Sequence, residues 1–127
     1  MPFHVEETLL FDPVAIEKLR EVGGDQDQGF VAEMALLFLE ESGRMLAELR
    51  GACDGGDFKK VAQLSHSLKS SSATLGLMGL RNACVSLELN ALDSKAGHNS
   101  SSPKTLALAA AVLNQFEQAI PLLKRLS

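Results

Sequence analysis

The sequence predicts an all-α protein, an antiparallel up-and-down four-helix bundle with an additional short N-terminal helix. Three observations carry that reading. Aromatic residues make up only 5% of the 127 residues, with no Trp or Tyr, and Ala, Leu, Glu, Lys and Ser dominate, a balance that favours helix over sheet. Apolar residues recur at helical spacing in four long segments. Short turn-forming sequences separate these segments, which makes successive helices antiparallel neighbours. A hydrophobic content of 46% in a chain of this length suits one core, so residues 12–126 form the bundle and 1–11 an N-terminal tail.

Asp12-Pro13 announces the first helix, with an N-cap followed by a proline at the first helical position, and Phe11 and Ile16 are spaced as a hydrophobic staple. Gly23-Gly24 ends it. The second helix runs from about Asp27 to Cys53, with Val31, Met34, Phe38, Met45, Leu49 and Ala52 on one stripe. Asp54-Gly55-Gly56 breaks the pattern. Asp57 then caps a third helix from Phe58 to about Leu75, closed by Gly76. A fourth spans about Met78 to Leu92 and turns Leu80, Cys84, Leu87 and Ala91 inward, followed by a polar, exposed and mobile loop from Ser94 to Ser102. Ser102-Pro103 opens the last helix, whose stripe is read as Leu106, Ala110, Leu113, Phe116, Ile120 and Leu123, with Pro121 bending or loosening its final turns.

Composition narrows the function. The net charge of -4 and the lack of a dense Lys/Arg block leave no footprint for nucleic acid or an anionic membrane. No continuous apolar run reaches the roughly 18 to 20 residues of a membrane span, and the N-terminus has no basic targeting region; a soluble, cytoplasmic chain is expected. Cys53 and Cys84 sit in separate apolar patterns and read as small buried hydrophobes. His4 in the tail and His98 in the loop are too scattered for a metal site, so no bound metal is expected. Ser70, Ser71 and Ser72 lack a nucleophile elbow, and no acid is evident in the sequence to orient His66 as their base, which argues against a hydrolase.

The third helix holds the candidate chemistry. Val61, Leu64, Leu68, Ser72 and Leu75 define its buried direction, and His66 points roughly 160° away from it. Lys59 and Ala73 share the histidine's face at two turns, and Ala62, Lys69 and Ser70 at one. Neutral imidazole is a competent nucleophile near neutral pH, Lys69 can reach a phosphoryl group on it, and small neighbours leave room for in-line attack. By geometry alone the same residues also suit an ordinary solvated helix face. Phe30 and Leu37, with Leu36 further round, leave apolar surface on the second helix, either covered by the N-terminal helix or available for docking.

The run His66-Ser67-Leu68-Lys69-Ser70-Ser71-Ser72-Ala73-Thr74-Leu75-Gly76 resembles the signature of the histidine phosphotransfer (HPt) family: His, any residue, Leu, Lys, Gly, two small residues, two variable positions, an aliphatic residue and Gly. The Asp12-Pro13 start, the segment from Phe30 to Ser42, Gly56-Asp57, and Cys84 to Glu88 are similar to the family's landmarks in their usual order, from about Phe11 to Leu126. The resemblance implies a phosphorelay intermediate: His66 accepts a phosphoryl group from a receiver-domain aspartyl-phosphate and passes it to another receiver. It further implies no kinase activity of its own, a hybrid sensor histidine kinase and response-regulator receivers as partners, Mg²⁺ on the receiver with no cofactor on this chain, and a monomer. Ser70 departs from the family's usual Gly. The alternative is a helical adaptor that binds a receiver or kinase without transferring phosphate, and phosphate on the chain distinguishes the two.

Overall fold

The computed structural model describes residues 10–24, 28–94 and 103–127, which form five helices: α1 (Pro13–Gly23), α2 (Gln28–Gly55), α3 (Phe58–Thr74), α4 (Met78–Ser94) and α5 (Pro103–Leu126). The four long helices close into a ring in which α3 packs on α2 and α4, and α5 on α4 and α2, while α1 lies against α2 and α3. His4, His98 and most of the polar loop read from Ser94 to Ser102 lie outside the described residues.

The helix boundaries follow the capping residues. Asp12 accepts a hydrogen bond from the Val14 amide at 3.0 Å with Pro13 at the first helical position, and Asp57 does the same for the Lys60 amide at 3.2 Å. Leu75 is the C-cap of α3, and Gly76 takes a φ of +76°, the left-handed conformation that suits glycine. That turn is sewn to the chain entering α1: Asp12 N–H donates to Gly76 O at 2.8 Å, and Met78 N–H to Leu10 O at 2.9 Å.

Ile16 and Leu19 of α1, Val31, Phe38, Leu49 and Ala52 of α2, Val61 and Leu68 of α3, and Leu80, Cys84, Leu87 and Ala91 of α4 are all buried. Cys53 and Cys84 are buried free thiols. Two stripes differ from expectation. On α2, Met34 and Met45 are only partly buried while Ala35, Ser42 and Leu46 lie in the interior. On α5 the buried positions are Thr105, Ala109, Val112, Phe116, Ala119 and Leu123; Leu106 and Ala110 are exposed, and Leu113 and Ile120 are partly buried. The slip arises because residues 106–112 are almost entirely Leu and Ala, so the sequence offers no contrast between faces, and the polar Thr105 is buried by donating to Asn90 Oδ1 at 2.6 Å.

Pro121 does not end α5, which continues to Leu126; its missing N–H and its exposed position on the last two turns are tolerated there. Although no unbroken apolar run in it reaches 18 residues, α5 is long and apolar enough by length and composition to cross a membrane. Here its apolar side is the inner wall of the bundle.

Candidate functional site

α3 and α4 form a hairpin about the turn at Leu75–Leu77, and antiparallel helices bring residues equidistant from such a turn side by side. His66 lies eleven residues before Leu77 and Glu88 eleven after. His66 Nδ1 and Glu88 Oε2 are 3.0 Å apart, and Lys69 Nζ donates to the other oxygen, Glu88 Oε1, also at 3.0 Å. No acid beside His66 is evident from the sequence; the hairpin supplies one, Glu88, and corrects that expectation.

An ionised carboxylate only accepts hydrogen bonds, so the contact requires the proton on Nδ1. In the neutral ring this leaves the lone pair on Nε2, at the outer end of a side chain that is 60% exposed. Glu88 is 16% exposed and Lys69 26%, so both sit in the groove between the helices. Burial alone would raise the carboxyl of Glu88, but the hydrogen bonds and charges of Lys69 and His66 outweigh it and hold Glu88 below the ordinary carboxylate range. It is therefore an anion at neutral pH. Beneath it, burial first and the charge of Glu88 second push the Cys84 thiol up to about 12, against the opposing charge of Lys69. Cys84 stays a thiol, neither nucleophile nor ligand.

Of the residues expected around His66, Lys59 and Ser70 are exposed on its flank, and Ala73 is half-buried, facing a shallow groove shared with Asp12 and with Ala15 and Lys18 of α1. Ala62 is buried at 7% and corrects the expected clearing. Because α3 packs against α4 as well as α2, its buried arc is wide, running through Ser65 to Ala62 while Leu64 is only partly covered. The open side of His66 therefore faces Ser70 and Lys59, away from Ala62. Ser71 is exposed, and the Ser72 hydroxyl is buried and donates to Leu68 O at 2.6 Å, so the serine run holds no activated nucleophile.

Phe30 is half-buried, and its ring lies so close to Gly23 that a Cβ there would collide with it; the end of α1 covers it in part. Leu36 and Leu37 remain 50% and 47% exposed. Among the described residues no cluster of His, Cys, Asp and Glu has the make-up of a metal site.

The helical ring presents one imidazole on an outer face, held by a carboxylate and flanked by a lysine, open to solvent and not enclosed in a pocket. The Hpt domain family model matches residues 33–123, and the chain belongs to that family. It is similar to Multistep phosphorelay regulator 1 of Schizosaccharomyces pombe, 30% identical over 84 residues covering 66% of this chain and 28% of that protein. It is also similar to Histidine-containing phosphotransfer protein 1 of Arabidopsis thaliana, 36% identical over 70 residues covering 54% of this chain and 46% of that one. The chain thus spans less than half the length of these curated relatives. An X-ray structure from rice, described as a histidine-containing phosphotransfer protein, superposes with a TM-score of 0.73 at 26% identity, covering 92% of this chain and 79% of that one.

Proposed function

We propose that this chain is a phosphorelay carrier with His66 as the phosphoryl-accepting residue. The observation that carries the reading is the exposed imidazole whose Nδ1 is tied to Glu88, which leaves Nε2 as the nucleophile. Nε2 attacks the phosphorus of a receiver's aspartyl-phosphate; the N–P bond forms as the P–O bond to aspartate breaks, and the aspartate leaves as a carboxylate. The ring gains positive charge in this step, and the Glu88 carboxylate stabilises it across the Nδ1–H bond. Transfer to a second receiver is the reverse. Mg²⁺ belongs to the receiver, and this chain contributes position and electrostatics, not kinase chemistry.

Lys69 has a second role after transfer. Its ammonium lies one turn from His66 and is held by Glu88; a phosphoryl group with close to two negative charges competes for it. Ser70 and Lys59 border the open side through which the receiver arrives. The donor is the receiver of a hybrid sensor kinase, and the carrier acts as a cytoplasmic monomer, a setting that suits two buried thiols.

Incubation with a phosphorylated receiver tests the reading. The wild-type chain acquires acid-labile, base-stable phosphate, and His66→Gln acquires none while keeping its helical circular dichroism, because an exposed imidazole leaves no cavity. Equal labelling of the variant overturns His66 as the carrier.

A further inference from the structure

The proton on Nδ1 decides how readily a phosphoryl group leaves Nε2. A ring that carries both departs as neutral imidazole, whereas a ring without that proton would depart as an imidazolide anion, a far poorer leaving group. Hydrolysis therefore runs through the protonated form. The oxygen of water bonds to phosphorus, the N–P bond breaks with its electron pair going to Nε2, both protons of the water go with the phosphate, and Nδ1 keeps its own. A group that holds the Nδ1 proton in place shortens the life of the phosphorylated carrier.

Glu88 acts on that lifetime through both of its oxygens. Oε2 lies 3.0 Å from Nδ1, and a carboxylate only accepts hydrogen bonds, so it holds the proton there and favours the cationic ring. Oε1 accepts from Lys69 Nζ at 3.0 Å, and Lys69 is the cation one turn from His66 that would otherwise rest against the phosphoryl oxygens. No other cation takes its place. Among the described residues Glu88 pairs with His66 and Lys69 alone, Arg81 of the same helix donates to Asn82 at 3.0 Å, and Cys84 beneath it is a buried free thiol.

We propose that Glu88 limits the lifetime of the phosphoryl group on His66, a role that rests on the carrier reading above: the one carboxylate keeps the ring a good leaving group and draws Lys69 away from the phosphoryl oxygens. Glu88 is thus a positioning residue that makes the chain a transit carrier, quick to give up its phosphoryl group to a receiver or to water, and not a store. Gln in its place reverses both effects. Its amide N–H donates to a deprotonated Nδ1 and favours the ring that leaves poorly, and it frees Lys69 for the phosphoryl group.

Phosphorus NMR of the phosphorylated chain at neutral pH, with receiver and Mg²⁺ absent, reads the half-life. Excess phosphoramidate labels every variant: Nε2 bonds to phosphorus and ammonia leaves, and His66→Gln under the same treatment reports any label elsewhere. Glu88→Gln should lengthen the half-life severalfold, and Lys69→Ala should shorten it. With Lys69 already replaced, Glu88→Gln should still lengthen it, by a smaller factor, because only the leaving-group effect remains. In denaturant, where the α3–α4 hairpin is unfolded, wild type and Glu88→Gln should decay alike. Equal factors with and without Lys69 overturn the draw on Lys69. A Glu88→Gln half-life equal to or shorter than that of wild type overturns the role of Glu88 and leaves phosphotransfer by His66 standing. A wild-type chain that takes no phosphoryl group from any phosphorylated receiver overturns the carrier reading and this role with it.

Discussion

The carboxylate of Glu88 meets His66 Nδ1 and Lys69 Nζ at 3.0 Å each, so a single substitution there alters two groups of the site. Glu88→Ala removes the partner that keeps the proton on Nδ1 and the charge that offsets the developing cation. A charge-assisted hydrogen bond contributes about 1.5 to 3 kcal/mol, and ~1.4 kcal/mol corresponds to tenfold in rate; phosphoryl acceptance by Glu88→Ala should therefore slow by about tenfold or more. Nitrogen NMR of the ring should show the Nδ1–H form losing its preference in parallel. An unchanged rate with an unchanged tautomer would remove Glu88 from the mechanism. Ser70 acts by size. It is exposed one turn from His66, so Ser70→Gly should transfer at least as fast as wild type, with up to about 1 kcal/mol lost to glycine in a helix. Ser70→Leu should fold normally and lose both receiver affinity and transfer rate; a fast Ser70→Leu carrier would place the receiver on another side of the imidazole.

Helix ends were legible in the sequence because capping is local. Asp12-Pro13, Asp57 and Gly76 each mark a boundary within a few residues of itself, and all three act in the structure as their chemistry requires. Faces were less legible. The α4 stripe through Leu80, Cys84, Leu87 and Ala91 keeps helical spacing with Arg81, Asn82, Ser86, Glu88 and Asn90 off it, whereas the Leu- and Ala-rich start of α5 has apolar residues on every side and its inward face is chosen by its neighbours. Ala62 was placed in the open for a related reason: a single apolar stripe describes a helix with one buried side, and α3 has two neighbours in the ring. The Gly76 turn is the element on which this arrangement depends. Its φ is +76°, and a Cβ there would run into the backbone oxygen of Asp12. Gly76→Ala should destabilise the domain by about 2 to 3 kcal/mol, read as a lower thermal midpoint, while Gly43→Ala, on an exposed turn of α2 with open space around its Cα, should stabilise it slightly. Equal midpoints for Gly76→Ala and wild type would show that the turn relaxes without strain.

At the scale of the molecule, the bundle assembles a site from two helices that are distant in sequence. His66 and its motif were readable on α3 alone; Glu88 was not, because its partnership exists only once α3 and α4 fold back on each other. The signal was nonetheless present as symmetry: in a tight helical hairpin, residues equally spaced from the turn become neighbours, and the turn at Leu77 pairs position 66 with position 88. The α3–α4 groove sets the tautomer and charge of the imidazole. On the carrier reading, His66 holds the phosphoryl group on Nε2 while Nδ1 keeps its proton toward Glu88. Nitrogen and phosphorus NMR of the chain with labelled histidine, after phosphorylation by a receiver, reads this directly. The expected result is one phosphoramidate at Nε2 of His66, with Nδ1 still protonated; phosphate on Nδ1, on a serine of the 70–72 run, or on the chain with His66 replaced by Gln would overturn it.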